Sequence, residues 1–498
     1  MKKPFIAAAA AMCLMIAGCS MESMDGFYNG GMVGAPDASA PEMDMEQDNP
    51  GGDNYGDYQD NPFVKTADEN VSTFSVDADG ASYANMRRYI TEGALPYGGA
   101  VRIEEFLNYF TFDYADPTDD NTVAINAEVG PCPWAPEHRL MRLGIKGRSM
   151  AESEIPDANF VFLIDVSGSM NSNDKLGLLK KCMNTLVDQL RPTDRISIIT
   201  YSGKVKKLLE STLVEDSKTI KDAVSTLVAS GATAGGAALK MAYEEALANY
   251  IEGGNNRVIL GTDGDFNVGV TSTDELVEMV QDYASQGVYM TVCGFGRGNL
   301  NDSMMESISN HGNGNYEYIS TEDDMTKVFV NERSEFFAVA NDAKIQITFD
   351  AAKIDSYRLI GYENRVLDNE DFENDEKDAG EIGAGQTVTA LYEIVPAAEG
   401  SADSGTLAVF DLRYKETLGQ ASVPLSLDVV PGEVSSEFAF AASVAAYGML
   451  LRDSPYKGET TFDMVIGLAQ DGLQYDPYGY RADFVDVMKA AKKLMAEE

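Results

Sequence analysis

Asp165-Val-Ser167-Gly-Ser169 sets one carboxylate and two hydroxyls within five residues, directly after the continuous apolar run Phe160-Val-Phe-Leu-Ile164. Thr233 follows a Ser-Gly-Ala turn and precedes a segment that opens Ala-Gly-Gly. Asp263 stands in Gly261-Thr-Asp263-Gly-Asp265, just beyond the apolar Val258-Ile-Leu260. Short apolar runs closed by turn residues read as buried strands. The three segments therefore form loops at the carboxyl ends of strands, and every donor they carry is an oxygen. Two carboxylates with neutral hydroxyls suit one hard divalent cation, Mg²⁺ or Mn²⁺.

Catalytic alternatives have little to be built from. The chain holds two histidines, His138 and His311, far apart in sequence, so a Ser-His-Asp hydrolase or a His-ligated zinc site lacks its parts. No G-x-S-x-G, Walker A or H-E-x-x-H pattern occurs. Gly294-Phe-Gly296-Arg-Gly298 has the wrong spacing for a dinucleotide turn and reads as a tight loop. A phosphatase built on an aspartyl nucleophile at Asp165 needs a second Asp two residues on, where Ser167 stands. The acidic stretch Asp368 to Asp378 lacks EF-hand spacing and its central Gly, and reads as a solvated loop.

The elements that must carry these loops alternate. Strand Phe160–Ile164 is followed by a helix near 175–190, with Leu176, Leu179, Met183, Leu186, Val187 and Leu190 at helical spacing. Strand 196–199, a short edge strand at 205–209 and helices near 218–228 and 237–250 come next. Strands 258–260 and 288–292 enclose a helix near 273–286. Such alternation gives an α/β fold with a doubly wound, mostly parallel sheet over 156–336, in which ligands bind where strand order reverses. Residues 63–155 are mixed, helices then strands. Residues 337–432 alternate with period two and form a β-rich domain, and 433–498 are helical. We expect strands from before and after the α/β block to join one composite β-domain, into which the block is inserted.

Together the D-x-S-x-S run, Thr233 and the T-D-G at Asp263 resemble the metal-ion-dependent adhesion site of von Willebrand factor type A (VWA) domains. That resemblance implies Ser167 and Ser169 as direct ligands, with Asp165, Thr233 and Asp263 completing the shell. It also implies an open coordination position for an Asp or Glu carboxylate from a partner protein. The flanks resemble those of bacterial VWA lipoproteins: Val71-Ser-Thr-Phe-Ser-Val-Asp77 and Ser82-Tyr-Ala-Asn-Met-Arg-Arg88 on one side, Tyr357-Arg-Leu-Ile-Gly-Tyr-Glu-Asn-Arg365 and Asp378-Ala-Gly-Glu-Ile-Gly-Ala-Gly385 on the other.

The amino end points to export. Lys2 and Lys3 precede an apolar run from Phe5 to Ile16, too short to span about 30 Å of hydrocarbon and of signal-peptide type. Ile16-Ala-Gly-Cys19 resembles a lipobox, which implies removal of 1–18 and lipidation of Cys19. Stable anchoring needs two or more acyl chains. Residues 19–62 lack Lys and Arg, are rich in Gly, Asp, Asn and Met, and read as a disordered acidic tether. The expected location is the cell envelope. Ser20, rather than the aspartate that retains lipoproteins at the inner membrane, favours the outer membrane. With 38 basic and 80 acidic side chains, a formal charge of −42 excludes nucleic acid as a partner. Of the mature cysteines, Cys182 and Cys293 read as buried thiols, and a Cys132–Cys182 bridge is left open.

Three functions are compatible with these residues. The first is a non-catalytic binding module that grips a partner's carboxylate through the metal. The second is an envelope scaffold whose metal is only structural. The third, remote, is a metal-dependent phosphohydrolase.

Overall fold

The computed structural model describes residues 52–56, 58–151, 153–231, 236–264 and 273–497, all in one compact unit that begins at Asn49. The signal segment, Cys19, the first part of the tether and Thr233 lie outside the described residues.

Short strands β1 (Val64–Lys65) and β2 (Val71–Ser75) open the body, followed by helices α1 (Ala81–Thr91) and α2 (Ile103–Asn108) and the hairpin β3 (Val123–Pro131) and β4 (Arg139–Gly147). The α/β block comes next: β5 (Ala158–Asp165), α3 (Leu178–Gln189), β6 (Arg195–Tyr201), β7 (Val205–Leu213), α4 (Ser217–Ser225), α5 (Gly236–Ala248), β8 (Asn255–Thr262), α6 (Thr273–Ala284), β9 (Val288–Phe295), α7 (Asp302–His311), β10 (Tyr316–Ile319) and α8 (Glu322–Thr326). Then follow β11 (Ala338–Phe349), β12 (Ile354–Ile360), β13 (Val366–Leu367), β14 (Gly380–Gly383), β15 (Thr387–Pro396), β16 (Ala408–Lys415) and β17 (Val423–Val429). Helices α9 (Ser436–Leu451), α10 (Phe462–Asp471) and α11 (Tyr480–Glu497) close the chain.

The block's sheet runs β10-β9-β8-β5-β6-β7, parallel except for the antiparallel edge strand β7. Along β5 the side chains alternate between two cores. Phe160, Phe162 and Ile164 pack under α3 and α4, whereas Val161 and Leu163 join the core containing α1, α2, α9 and α11. That second core explains α9, which buries twelve of its sixteen residues and is apolar on every side. Its amino end is capped by Ser435, whose hydroxyl accepts from Phe438 N at 3.3 Å.

The remaining strands form two sheets, β1-β12-β15-β4-β3 and β13-β2-β11-β16-β17, with β14 beside β11. Both mix strands from before and after the block, as expected: β4 pairs with β15 over eight residues, and β2 with β11 over five. The two sheets share one core, where Phe74, Ile345 and Leu412 meet Leu143, Tyr392 and Ile394. The 63–155 and 337–432 segments are therefore halves of one sandwich rather than separate domains. The chain leaves this sandwich and returns to it at one place, because Gly147 lies against Gly383 and Val339.

Two expectations are corrected. The tether does not extend to residue 62: Asp53 Oδ1 accepts from Gly298 N (2.7 Å) and Leu300 N (3.0 Å), and Asn61 Nδ2 donates to Gly361 O (2.8 Å). Polar side chains that satisfy buried backbone groups hold this segment, which a hydropathy reading does not register. Nor is the acidic loop at 368–378 merely solvated. It wraps the fully buried Lys344, whose ammonium donates to the carbonyls of Asp371, Asn374 and Lys377.

Candidate metal centre

Strands β5 and β8 are parallel neighbours, with Ile164 opposite Gly261. Adjacent strands lie about 4.8 Å apart, so Asp165 ends its strand beside Thr262, and Asp263 follows one residue later. From β5 the chain goes to β6 on one side and returns in β8 on the other, so this is where strand order reverses.

The first loop is shaped by its own carboxylate. Ser167 N donates to Asp165 Oδ1 at 2.7 Å, and the Thr262 hydroxyl lies 3.5 Å from Asp165 Oδ2. Ser167 Oγ and Ser169 Oγ are 2.9 Å apart. Asp165 and Asp263 are wholly buried and Ser167 nearly so, while Ser169 is exposed at the rim. Neighbouring loops clasp this one: Val166 N donates to Tyr201 O (2.9 Å), Ser230 N to Val166 O (2.7 Å), and Gly168 N to Gly231 O (3.0 Å). The last bond brings the chain two residues before Thr233 onto the D-x-S-x-S loop. Burial and the charge of Asp165 keep the Tyr201 phenol well above its usual range, so it stays protonated.

Asp263 is already partnered by a cation. Lys175 Nζ stands 2.9 Å from Asp263 Oδ2 and 3.0 Å from Asn299 Oδ1. Behind it Gly264 adopts φ +99°, and a Cβ there would lie 2.4 Å from Asn301 N. Only glycine lets the chain turn this close to 299–301. Sequence reasoning missed Lys175, Tyr201, Thr262 and Asn299. For Lys175 the signal was a charged residue opening the helical face that carries Leu176 and Leu179.

The donor set fits a small hard ion. Octahedral magnesium, with bonds of about 2.0–2.1 Å, needs adjacent ligand oxygens about 2.9 Å apart. The two serine hydroxyls have that separation, with buried carboxylates behind them. Asp165, Ser167, Ser169 and Asp263 could hold such an ion.

The histidines are engaged elsewhere. His138 Nδ1 lies 2.5 Å from Glu393 Oε1, and His311 Nδ1 lies 2.7 Å from Ser307 O. Cys132, Cys182 and Cys293 are buried free thiols, so the Cys132–Cys182 bridge is not formed, and burial raises all three well above the usual thiol range.

Three family models match the chain. Residues 159–332 match the von Willebrand factor type A domain, 49–142 a model described as von Willebrand factor, and 334–494 one described as the C-terminal part of the uncharacterized protein YfbK. YfbK of Escherichia coli (strain K12) is 38% identical over 470 residues, covering 89% of this chain and 82% of YfbK. Human inter-alpha-trypsin inhibitor heavy chain H3 is 30% identical over 167 residues, 31% of this chain and 18% of that protein. Among solved structures, a von Willebrand factor type A protein from Catenulispora acidiphila aligns with TM-score 0.44 at 15% identity, over 75% of this chain and 91% of that one.

Proposed function

Because the chain belongs to the family of YfbK and its residues 159–332 match the von Willebrand factor type A domain, we propose that it is a non-catalytic binding protein. It grips a carboxylate of a partner protein through one Mg²⁺ or Mn²⁺ at the carboxyl edge of the sheet. Ser167 and Ser169 would ligate the ion directly, with Asp165, Asp263 and Thr233 completing the shell. When bound, the ion supplies a Lewis-acidic position open to an oxygen ligand. The observation that carries this reading is the 2.9 Å hydroxyl pair at the rim, set over two wholly buried carboxylates at the strand-order reversal.

The chain's own residues define how the site would work. Buried Asp165 fixes the loop through Ser167 N, so both hydroxyls are positioned before any ion arrives. Exposed Ser169 leaves the outer face accessible to a partner. We further propose that Cys19 carries the lipid that holds the protein at a membrane of the cell envelope. This rests on the apolar run and the Ile16-Ala-Gly-Cys19 sequence. Among the described residues no helix is long and apolar enough to cross a membrane. Cys19→Ala should move the protein from the membrane fraction to the soluble one, and an unchanged distribution would exclude the anchor.

Calorimetric titration of Mg²⁺ and Mn²⁺ tests the site. Saturable binding of either ion that disappears in Asp263→Ala is expected, and should add about 2.7 kcal/mol of stability at a hundredfold excess over Kd. Absence of binding in the wild type would overturn it. One observation favours a scaffold reading, in which no carboxylate is ever gripped: the Lys175 ammonium already balances Asp263. On that reading, metal would leave every interaction of the protein unchanged.

A further inference from the structure

A second group of carboxylates lies away from the sheet edge, where three stretches of the chain meet. Asp77 follows β2, Glu105 is on α2 and Glu306 is on α7. All three are buried, and each offers an oxygen within 4.8 Å of the other two. Asp79, Glu104 and Asp302, also buried, surround them.

The cations present do not match this charge. Arg102 contacts Glu105, Asp302 and, at 3.6 Å, Glu306; Arg365 Nε lies 2.9 Å from Asp77 Oδ2. Six carboxylates thus face two guanidiniums. Backbone donors satisfy part of the remainder: Ser82 N bonds Glu105 Oε2 (2.7 Å), Asp79 N bonds Asp77 Oδ1 (3.0 Å), and Tyr316 N bonds Asp79 Oδ1 (2.8 Å). Tyr58 and Asn364 donate to Glu306.

Two oxygens are left over. Asp79 Oδ2 turns toward the same Arg365 guanidinium that holds Asp77, with Nη2 at 3.9 Å, and has no hydrogen-bond partner. Glu104 Oε1, wholly buried, has none either. An unmatched charged oxygen away from water costs several kcal/mol, so it calls for a cation or a proton.

Size distinguishes the ions. Three oxygens on one ion can lie at most about 4.5 Å apart for calcium, with bonds of about 2.3–2.6 Å, and about 3.6 Å apart for magnesium. Carboxylate oxygens within 4.8 Å of one another therefore close on calcium with a smaller movement of the side chains than on magnesium. Glu306 and Arg365 also line an open cleft with Tyr58, Ser303 and Asn364, which gives an ion a route in.

We propose that Asp77, Glu105 and Glu306 form a second divalent-cation site, fitted to calcium, that ties the α/β block to the sandwich domain. α7 belongs to the block, whereas Asp77, Glu105 and Arg365 belong to the flanks. An ion shared among them would act as a clamp across that seam. Nothing in this depends on the sheet-edge site.

Calcium titration of the full chain carrying Asp263→Ala isolates the second site. Saturable binding of one ion is expected, with Tm higher by about 2–4 °C at a hundredfold excess over Kd. Adding Glu306→Gln or, separately, Asp77→Asn should weaken calcium at least tenfold. Each removes one excess charge, so the circular dichroism in EDTA should remain that of the parent. If the Asp263→Ala chain has the same Tm in EDTA and in calcium and takes up no ion, the cluster is a protonated network and the proposal fails. It fails equally if both added substitutions bind calcium as tightly as their parent.

Discussion

Lys175 Nζ and Asp263 Oδ2 form a 2.9 Å ion pair at the base of the sheet-edge site, with the carboxylate wholly buried. The lysine comes from the turn that opens α3, whereas the aspartate directly follows β8, so the pair joins the two sides of the site. An ammonium there has two opposing effects. It stabilises the metal-free chain, and it opposes a divalent ion nearby.

Lys175→Met separates these effects. Without metal, Asp263 loses its cation, and stability should fall by an amount on the order of 3 kcal/mol. With saturating Mg²⁺ much of that loss should be recovered, and the Mg²⁺ affinity should rise severalfold. Thermal melts in EDTA and in Mg²⁺ read both. Equal Tm for variant and wild type in EDTA would mean that the pair contributes nothing.

Ser169 is exposed, so Ser169→Ala removes a hydroxyl without opening a cavity. Stability in EDTA should change by less than about 0.5 kcal/mol. Mg²⁺ affinity should drop at least tenfold, because one side of the 2.9 Å hydroxyl pair is gone. Calorimetry on the variant checks this, and unchanged affinity would remove Ser169 from the ligand set.

Glu105 gives a pH signature. Burial and the nearby Glu306 and Asp77 raise its carboxyl to about 8, while Arg102 draws it back. A carboxyl raised on folding holds a proton that the unfolded chain releases near 4.3. Its contribution is therefore complete below that value and is lost as pH rises toward 8. Urea melts in EDTA should show stability falling between about pH 5 and pH 8, by up to roughly 1.4 kcal/mol per unit for one such group. Glu105→Gln should flatten that slope, and a slope unaffected by the substitution would show that Glu105 is charged throughout.

Arg481 anchors the closing helices. It is buried, pairs with Glu437 through both nitrogens (2.6 and 2.9 Å), and donates to the carbonyls of Gly472 and Thr111. Arg481→Met leaves Glu437 buried without its partner, and should cost about 3–5 kcal/mol in a denaturant melt. A loss under 1 kcal/mol would show that water reaches the site.

Much of this could be read from sequence, for local reasons. The runs at Phe160–Ile164 and Val258–Leu260 are apolar because both faces of their strands are covered, and this placed Asp165 and Asp263 at one sheet edge. Strand β10, at Tyr316–Ile319, escaped because Tyr-Glu-Tyr-Ile is short and interrupted by a charge. α10, at Phe462–Asp471, lies within the 433–498 stretch read as helical. The second carboxylate group could not be found from spacing. Asp77, Glu105 and Glu306 are scattered through the chain, and only the meeting of three segments brings them within 4.8 Å.

The interleaving of β2, β4, β11 and β15 also imposes an order of assembly. When β2 to β4 emerge in synthesis, the strands they pair with are not yet made, and the whole α/β block must follow first. Until then the hairpin of β3 and β4 presents an unpaired edge to the surroundings. The block can close on its own contacts in the meantime, but the sandwich is sealed only when β11 to β17 arrive. Such long-range pairing is slow and leaves the early strands open to intermolecular association. That interval is when a holding chaperone would be most needed.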